Sequence, residues 1–271
     1  MKDLITRTTS GLLFLAIMIG AILYGHITFW AISCIIVAIG TYEFLEMTIP
    51  KKHDLQKGMS IFVGVILVTL VACITSLPRI PSIYLVIVAI IAYLFALLIP
   101  IIELYQKSEK PFENIAVLIL PIFYIAVPFV LMNIIYAENN LNILAFFIFV
   151  WTSDVGAYCF GMLLGKHKLF PRISPKKSWE GFLGGIITAI IASILVSNFM
   201  FDGKNLKHWI IISIITAVFG TLGDLVESML KRSVGVKDSG NIMPGHGGML
   251  DRFDAVFLAF PIVFVYIIIL L

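Results

Sequence analysis

Charged residues are scarce in this sequence of 271 residues. Only 13% of them are Asp, Glu, Lys or Arg, whereas 60% are hydrophobic and the mean hydropathy is +1.05. Soluble domains contain about 25% charged and about 45–50% apolar residues, and the core of a chain this size cannot take up the surplus. The composition therefore excludes an ordinary water-soluble domain, and the surplus of apolar side chains must face lipid.

Other features are also missing. Three cysteines, an odd number scattered through apolar stretches, favour small buried side chains over a disulfide scaffold or a metal site. The apolar stretches are continuous runs without alternation of polar and apolar residues, which excludes a β-barrel. The longest hydrophilic connection, residues 166–180, is too short for a separate soluble domain, so any chemistry must use loops and helix ends.

Apolar runs of about 20 residues predict an all-α polytopic membrane protein with about nine transmembrane helices. We expect one integrated membrane domain, in which residues 1–140 form a scaffold and a route for lipid access, and residues 141–271 carry the functional site. The predicted spans are Gly11–Tyr24, Ile27–Met47, Met59–Leu77, Ile83–Leu104, Phe112–Tyr136, Leu141–Leu164, Gly181–Phe201, Trp209–Leu230 and Met249–Leu271.

The basic residues predict the orientation, because Lys and Arg in short loops collect on the cytoplasmic side. With nine spans and a cytoplasmic N-terminus, 16 of the 19 basic residues lie inside, and only Arg79, Lys204 and Lys207 lie outside. The inner set is Lys2, Arg7, Lys51, Lys52, Lys57, Lys107, Lys110, Lys166, Lys168, Arg172, Lys176, Lys177, Lys231, Arg232, Lys237 and Arg252.

The first half of the chain has few polar residues inside its spans. Glu43 and Glu46 lie near the inner end of the second predicted span. We expect both side chains to reach the membrane interface or to pair with the nearby Lys51 and Lys52.

The second half places acidic residues inside its spans. Asp154 lies in the sixth span, and Asp224 and Glu227 lie in the eighth, where an ionised side chain is costly unless it is partnered or hydrated. Asp224 and Glu227 are followed by Ser228 and Lys231 at i, i+3, i+4, i+7 spacing, which puts all four side chains on one helix face. A cluster of this kind indicates a functional site.

A second acidic pair, Asp251 and Asp254, opens the ninth span, and a basic, glycine-rich loop joins it to the eighth. Carboxylates from two helices suit a divalent cation such as magnesium, basic side chains neutralise phosphate oxygens, and a Gly-Gly pair lets N–H groups approach an anion. These are the parts of a phosphoryl or nucleotidyl transfer site. The loop contains Lys231, Arg232, Lys237, Asp238, Pro244, Gly245, His246, Gly247 and Gly248.

The connection between the sixth and seventh spans is a second basic element. It contains five closely spaced cations, two of which are Lys176 and Lys177. Two prolines interrupt this basic stretch. The charges could simply fix the membrane topology. Alternatively, the prolines stiffen the loop into a preshaped site for an anion.

The segment Ser228–Asp254 resembles the signature of the phosphatidate cytidylyltransferases, also called CDP-diacylglycerol synthases. It fits the pattern S-x-x-K-R-x4-K-D-x-G-x3-P-G-H-G-G-x-x-D-R-x-D, and Ile173–Gly181 and Asp154–Tyr158 also look like the family's sequences. The resemblance implies magnesium-dependent transfer of CMP from CTP to phosphatidic acid, which gives CDP-diacylglycerol and pyrophosphate for phospholipid biosynthesis. It also implies a multi-pass protein of the cell membrane whose active site faces the cytoplasm.

On this resemblance, we expect Asp224 and Asp251 to hold Mg²⁺, Asp254 to support them, and Asp154 to serve a second cation or an orienting role. The other expected catalytic or phosphate-clamping residues are Lys231, Arg232, Lys237, Asp238, His246 and Arg252. The residues expected to contact substrate are Lys176, Lys177, Ser228, Gly247 and Gly248.

A secondary transporter is the alternative, because carboxylates and glycines inside spans also mark ion pathways. Against it, the polar residues cluster at one membrane face and no second copy of the motif suggests an inverted repeat. A CDP-alcohol phosphotransferase would carry D-G-x-x-A-R, which is absent. Membrane lipid and the two substrates are the expected partners, with no nucleic acid, and small residues also permit a homodimer: Gly184, Gly185, Gly220 and Gly223.

Overall fold

The computed structural model describes residues 2–76, 82–240, 242 and 247–270. The predicted all-α fold is confirmed, since helices account for most of these residues and a short two-stranded hairpin is added. The chain divides into two compact units. The first unit comprises residues 1–138 together with Asp238–Arg252, and the second comprises Asn139–Lys237 and Phe253–Leu271. The sequence division at residue 140 stays a prediction.

The first unit contains six helices within its described part. Its core lies where α2, α3 and α6 pack together, with Phe29, Phe44 and Phe129 fully buried and Phe29 stacked on Tyr136 at a ring-centroid distance of 4.6 Å. The helices are α1 (Lys2–Tyr24), α2 (His26–Thr48), α3 (Asp54–Ser76), α4 (Ser82–Tyr105), α5 (Pro111–Pro121) and α6 (Val127–Glu138), with a 3₁₀ turn at Lys51–His53 before α3.

The predicted fifth span is one continuous but irregular helical rod. A π-helical segment, Ile122–Ala126, joins α5 to α6. Pro128 lies two residues after the end of this segment, and proline can neither donate a hydrogen bond nor fit its ring against the carbonyl of the preceding turn. The wider π turn accommodates that proline without ending the helix.

The second unit is built on three helices that pack against one another, and on the part of α10 that belongs to it. Asn139 caps α7 by accepting a hydrogen bond from the Leu141 N–H (3.0 Å), and Ser178 caps α8 by accepting one from the Gly181 N–H (3.2 Å). Phe146 packs edge-on against Phe260 of α10 in the core. The helices are α7 (Asn140–Leu164), α8 (Trp179–Met200), α9 (Leu206–Ser233) and α10 (Leu250–Leu270).

Eight helical segments in the described part of the chain are long and apolar enough to cross a membrane. They correspond to the second through ninth predicted spans, so this part of the sequence prediction is confirmed. The first predicted span lies in α1, whose apolar stretch Thr9–Tyr24 is shorter. The protein is therefore a polytopic helical membrane protein, and the cytoplasmic N-terminus stays a prediction.

The basic connection before α8 is a β-hairpin, which the sequence prediction of a proline-stiffened loop missed. Strand β1 (Lys168–Phe170) pairs antiparallel with β2 (Ser174–Ser178). The Ile173 N–H closes the turn on the Phe170 carbonyl (3.2 Å), and the Trp179 N–H closes the base on the His167 carbonyl (2.9 Å). Glu180 of α8 also accepts a hydrogen bond from the Lys166 N–H (3.1 Å), which fixes the hairpin to the start of α8.

Candidate active site

The four residues predicted to share one face of α9 form two side-chain pairs. The Ser228 hydroxyl donates to Asp224 Oδ1 (3.2 Å), and Lys231 Nζ lies 3.1 Å from Glu227 Oε1. Both pairs have i, i+4 spacing, so the helical periodicity read from the sequence is confirmed. Glu227 and Lys231 are buried, and each therefore neutralises the charge of the other.

Strand β2 brings Lys177 to α9. Its Nζ lies 2.6 Å from Asp224 Oδ2 and also donates to the Thr221 carbonyl (3.4 Å). The side chains of Lys177 and Asp224 are 24% and 39% exposed, so the pair remains accessible. An expected phosphate ligand and an expected metal ligand thus form an ion pair with each other in this structure.

A cavity of about 400 Å³ lies beside this ion pair within the second unit. Its volume is in the range of small-molecule binding sites. Lys176, Lys177, Asp154 and Asp224 supply its charged part, and all four are residues that the sequence predicted for the site. The rest of the wall is largely apolar or small: Ala157, Tyr158, Gly161, Met162, Leu169, Ser178, Gly181, Phe182, Gly220 and Thr221.

Glycines let the helices around the cavity approach closely. A Cβ at Gly181 would lie 2.7 Å from the Ala157 carbonyl oxygen, and a Cβ at Gly184 would collide with the Phe160 side chain. A Cβ at Gly223 would likewise collide with the Asp254 carbonyl oxygen. Gly181 and Gly184 thus allow α8 to pack against α7, and Gly223 allows α9 to pack against α10. These contacts lie within one protomer, so they give the glycines a role that needs no second copy of the chain. The expected homodimer stays a prediction.

Replacing Gly184 by alanine is expected to lower the free energy of unfolding by about 1–3 kcal/mol, because the added methyl group overpacks the α7–α8 contact at Phe160. Gly20→Ala is the matched control, since a Cβ at this helical glycine meets nothing within 4 Å. Titration of the purified protein with a denaturing detergent measures both values. Equal stability of the two variants would contradict this packing.

The acidic residues of the second unit fit a divalent cation by their donor chemistry. The Asp254 carboxylate interacts electrostatically with those of Asp224, Glu227 and Asp154. Over the described residues, no three His, Cys, Asp or Glu side chains converge into a complete metal site. Magnesium is often held by only one or two carboxylates together with substrate phosphates, so it does not require three protein ligands. The binding of Mg²⁺ stays a prediction.

Asp251 belongs to the first unit, where it organises the segment before α10. Its Oδ2 atom accepts hydrogen bonds from the Gly248 N–H (2.8 Å) and the Ser239 N–H (3.0 Å), and the Ser239 hydroxyl lies within hydrogen-bonding distance of it (3.0 Å). Gly247 has φ = +84°, a conformation that favours glycine. Its Cβ, if present, would also lie 2.6 Å from Asp251 Oδ2. The joint use of Asp224 and Asp251 as ligands stays a prediction.

Other predicted site residues lie at the surface. Arg232 donates to the Val236 carbonyl (3.1 Å), beyond the end of α9. Lys237, Asp238 and Arg252 are exposed. His246 lies outside the described residues.

The structure corrects the prediction for Glu43. Its side chain is only 3% exposed and accepts hydrogen bonds from Ser239, Met249 and Leu250, rather than reaching the interface or pairing with Lys51 or Lys52. Glu46 pairs with Lys57 (2.9 Å). The helical periodicity of α2 could have indicated that Glu43 is buried, because Glu43 shares a helix face with the buried residues Ile36 and Gly40.

The fold and the cavity define a polytopic helical membrane protein with a charged site set among apolar helices. Its sequence matches that of the Cytidylyltransferase family over residues 5–270. The chain therefore belongs to the cytidylyltransferase family.

Three similar proteins, each named phosphatidate cytidylyltransferase, cover nearly the same length. The protein of Staphylococcus haemolyticus is 35% identical over 262 residues, which are 97% of this chain and 98% of the relative. That of Staphylococcus saprophyticus is 36% identical over 264 residues, with the same coverage of both chains. That of Staphylococcus aureus is 33% identical over 264 residues, again 97% and 98%.

Proposed function

We propose that this protein transfers CMP from CTP to phosphatidic acid, forming CDP-diacylglycerol and pyrophosphate. The observation that carries the proposal is the cavity of the second unit, which combines two lysines and two aspartates with a largely apolar wall. A phosphorylated lipid needs both kinds of surface in one pocket. The names of the full-length relatives support the same reaction.

The cavity suits the lipid substrate. Tyr158, Met162 and Phe182 offer an apolar surface to the part of phosphatidic acid next to its head group, and Lys176 and Lys177 offer charge to its phosphate. When the lipid binds, Lys177 exchanges the Asp224 carboxylate for the lipid phosphate. The Asp224 carboxylate released from Lys177 would then be free to serve as a metal ligand.

The reaction is a nucleotidyl transfer. A phosphate oxygen of phosphatidic acid forms a bond to the α-phosphorus of CTP, and the bond from that phosphorus to the oxygen bridging the α- and β-phosphates breaks. Pyrophosphate leaves with the bonding electron pair. The lipid phosphate is already ionised at neutral pH, so no strong general base is needed, and the residues of the chain act mainly by positioning and charge neutralisation.

Asp224, Asp251 and Asp254 are the residues that would hold Mg²⁺, with Asp154 for a second cation or an orienting role. Bound Mg²⁺ supplies charge neutralisation on the CTP phosphates. Lys231, Arg232, Lys237 and Arg252 would bind further phosphate oxygens, together with His246 of the same segment, and Asp238 would take a catalytic role. The N–H groups of Gly247 and Gly248 would do so from the backbone.

We further propose that the protein resides in the cell membrane with this site facing the cytoplasm. CTP is then supplied from the cytosol and phosphatidic acid from the inner leaflet. The orientation rests on the distribution of basic residues, and a homodimer is compatible with it.

The proposed activity is tested by incubating the purified protein in detergent micelles with labelled CTP, phosphatidic acid and Mg²⁺. We expect a lipid-soluble labelled product whose formation requires phosphatidic acid and stops when a chelator removes the metal. Diacylglycerol in place of phosphatidic acid is the matched control, since it lacks the attacking phosphate. An absence of lipid-soluble label above the metal-free control would show the proposed function to be wrong.

A further inference from the structure

Glu43 of α2 carries a buried carboxylate that the proposed chemistry does not use directly. The Met249 N–H donates to its Oε1 atom (3.0 Å), and the Leu250 N–H donates to its Oε2 atom (2.9 Å). The Ser239 hydroxyl lies 3.1 Å from the same Oε2 atom. With 3% of the side chain exposed, Glu43 is poorly placed to touch a substrate.

Two of these donors belong to the start of α10. The first N–H groups of a helix have no partner within the helix, and they carry its positive dipole end. The residues just before α10 are Gly247, Gly248 and Met249, none of which has a side-chain oxygen to cap it. The Glu43 carboxylate therefore takes the part of a capping residue from another helix and fixes where α10 begins.

Ser239 connects Glu43 to Asp251. Its hydroxyl lies 3.1 Å from Glu43 Oε2 and 3.0 Å from Asp251 Oδ2, and its N–H donates to Asp251 as well. A hydroxyl group has a single hydrogen, so the two carboxylates compete for one donor. Moving Glu43 would therefore change the hydrogen bonding of Asp251.

The backbone around Glu43 leaves no room for side chains. A Cβ at Gly240 would lie 2.9 Å from Glu43 Cδ, and a Cβ at Gly248 would lie 2.7 Å from the same atom. The glycines on both sides of the segment thus close around one carboxylate. Such close contact is typical of a carboxylate that sets the position of the backbone beside it. A carboxylate at the protein surface does not require glycines next to it.

We propose that Glu43 is a positioning residue for the site. Through the start of α10 and through Ser239, it fixes Asp251, together with the Gly248 N–H that donates to Asp251, in the orientation in which Asp251 meets Mg²⁺. The proposal rests on the proposed function for those contacts, but the structural part, the hold of Glu43 on the segment, is independent of it.

The test uses the full-length protein in detergent micelles with the variant Glu43→Gln, and Glu46→Gln as the matched control. Glu46 lies on the same helix with a side chain 40% exposed. For E43Q we expect a lower kcat and an increase of about 10- to 100-fold in the Mg²⁺ concentration needed for half-maximal rate, with the KM for phosphatidic acid unchanged. E46Q should match the unmodified protein in all three values.

A second measurement does not depend on activity. Hydrogen exchange followed by mass spectrometry should show that the peptide containing Met249 and Leu250 exchanges at least about tenfold faster in E43Q, since each lost hydrogen bond to a charged group is worth at least roughly that factor. The same peptide should be unchanged in E46Q. If E43Q does not fold, Ser239→Ala removes only the hydroxyl link and should shift the Mg²⁺ requirement in the same direction by a smaller factor.

The outcomes separate the two proposals. A folded E43Q with the Mg²⁺ requirement and exchange rate of the unmodified protein would overturn the positioning role, as would a folded S239A with an unchanged Mg²⁺ requirement. A lower kcat alone, with neither other value changed, would overturn it too. If the unmodified protein made no CDP-diacylglycerol, the proposed function would be wrong, and the exchange rate of Met249 and Leu250 alone would decide on Glu43.

Discussion

Replacing Asp224 by asparagine is expected to reduce the rate of CDP-diacylglycerol formation by about 10²- to 10³-fold, the range seen when one charge-stabilising group is removed from an active site. The substitution keeps the size of the side chain but removes the negative charge that faces Lys177 and that would face a cation. Initial rates with labelled CTP in detergent micelles measure the effect. Thermal unfolding should change little, because the side chain is partly exposed.

Asp202→Asn is the matched control for this variant. Asp202 lies in the turn before α9 with φ = +53°, a conformation that asparagine adopts readily. The same chemical change there should leave the rate within about twofold of that of the unmodified protein. A twofold change in rate corresponds to only about 0.4 kcal/mol in the activation free energy. A D224N variant that is folded and equally active would remove Asp224 from the site.

Replacing Lys177 by methionine is expected to reduce kcat/KM by about 10²-fold or more, because the variant loses the cation proposed to receive the lipid phosphate. Lys168→Met is the matched control. Lys168 is exposed in strand β1 of the same hairpin and does not line the cavity. The assay is the same as for Asp224, with the concentration of phosphatidic acid varied.

The double variant D224N/K177M tests whether the two residues act as a unit. Independent residues would lower the rate by the product of the two single effects, whereas residues that share one function give a smaller combined loss. We expect a combined loss smaller than the product of the two single effects, because either single variant already removes the ion pair that the two residues form. A full product of the two effects would show that the ion pair seen in the structure has no role in the reaction.

Local periodicity explains what the sequence could predict of this site. The spacing of Asp224, Glu227, Ser228 and Lys231 depends only on the geometry of one helix, and the structure confirms it. The contact between Lys177 and Asp224 joins residues 47 positions apart, and the sequence placed them on the same side of the membrane without pairing them. Apolar run length was enough to predict the spans from the second to the ninth.

The hairpin and Glu43 escaped prediction for different reasons. The β2 segment, Ser174–Ser178, lacks the alternating, β-branched pattern of a strand, and it is held by contacts that close its base at His167, Trp179 and Glu180. Glu43 has its partners about 200 residues away in the chain. A single sequence carries no local signal for a contact at that separation.

The hydrogen bonds of Glu43 also set an order of events during synthesis. Glu43 leaves the ribosome 196 residues before Ser239 and 206 residues before Met249. At a synthesis rate of about 5–20 residues per second, roughly 10–40 s pass between the synthesis of Glu43 and the synthesis of its hydrogen-bond donors. Throughout that interval it has to stay hydrated near the end of α2, because a polar group without hydrogen-bond partners is costly in hydrocarbon. The burial of Glu43 is thus among the last steps in the maturation of the first unit, although its helix is among the first to be made.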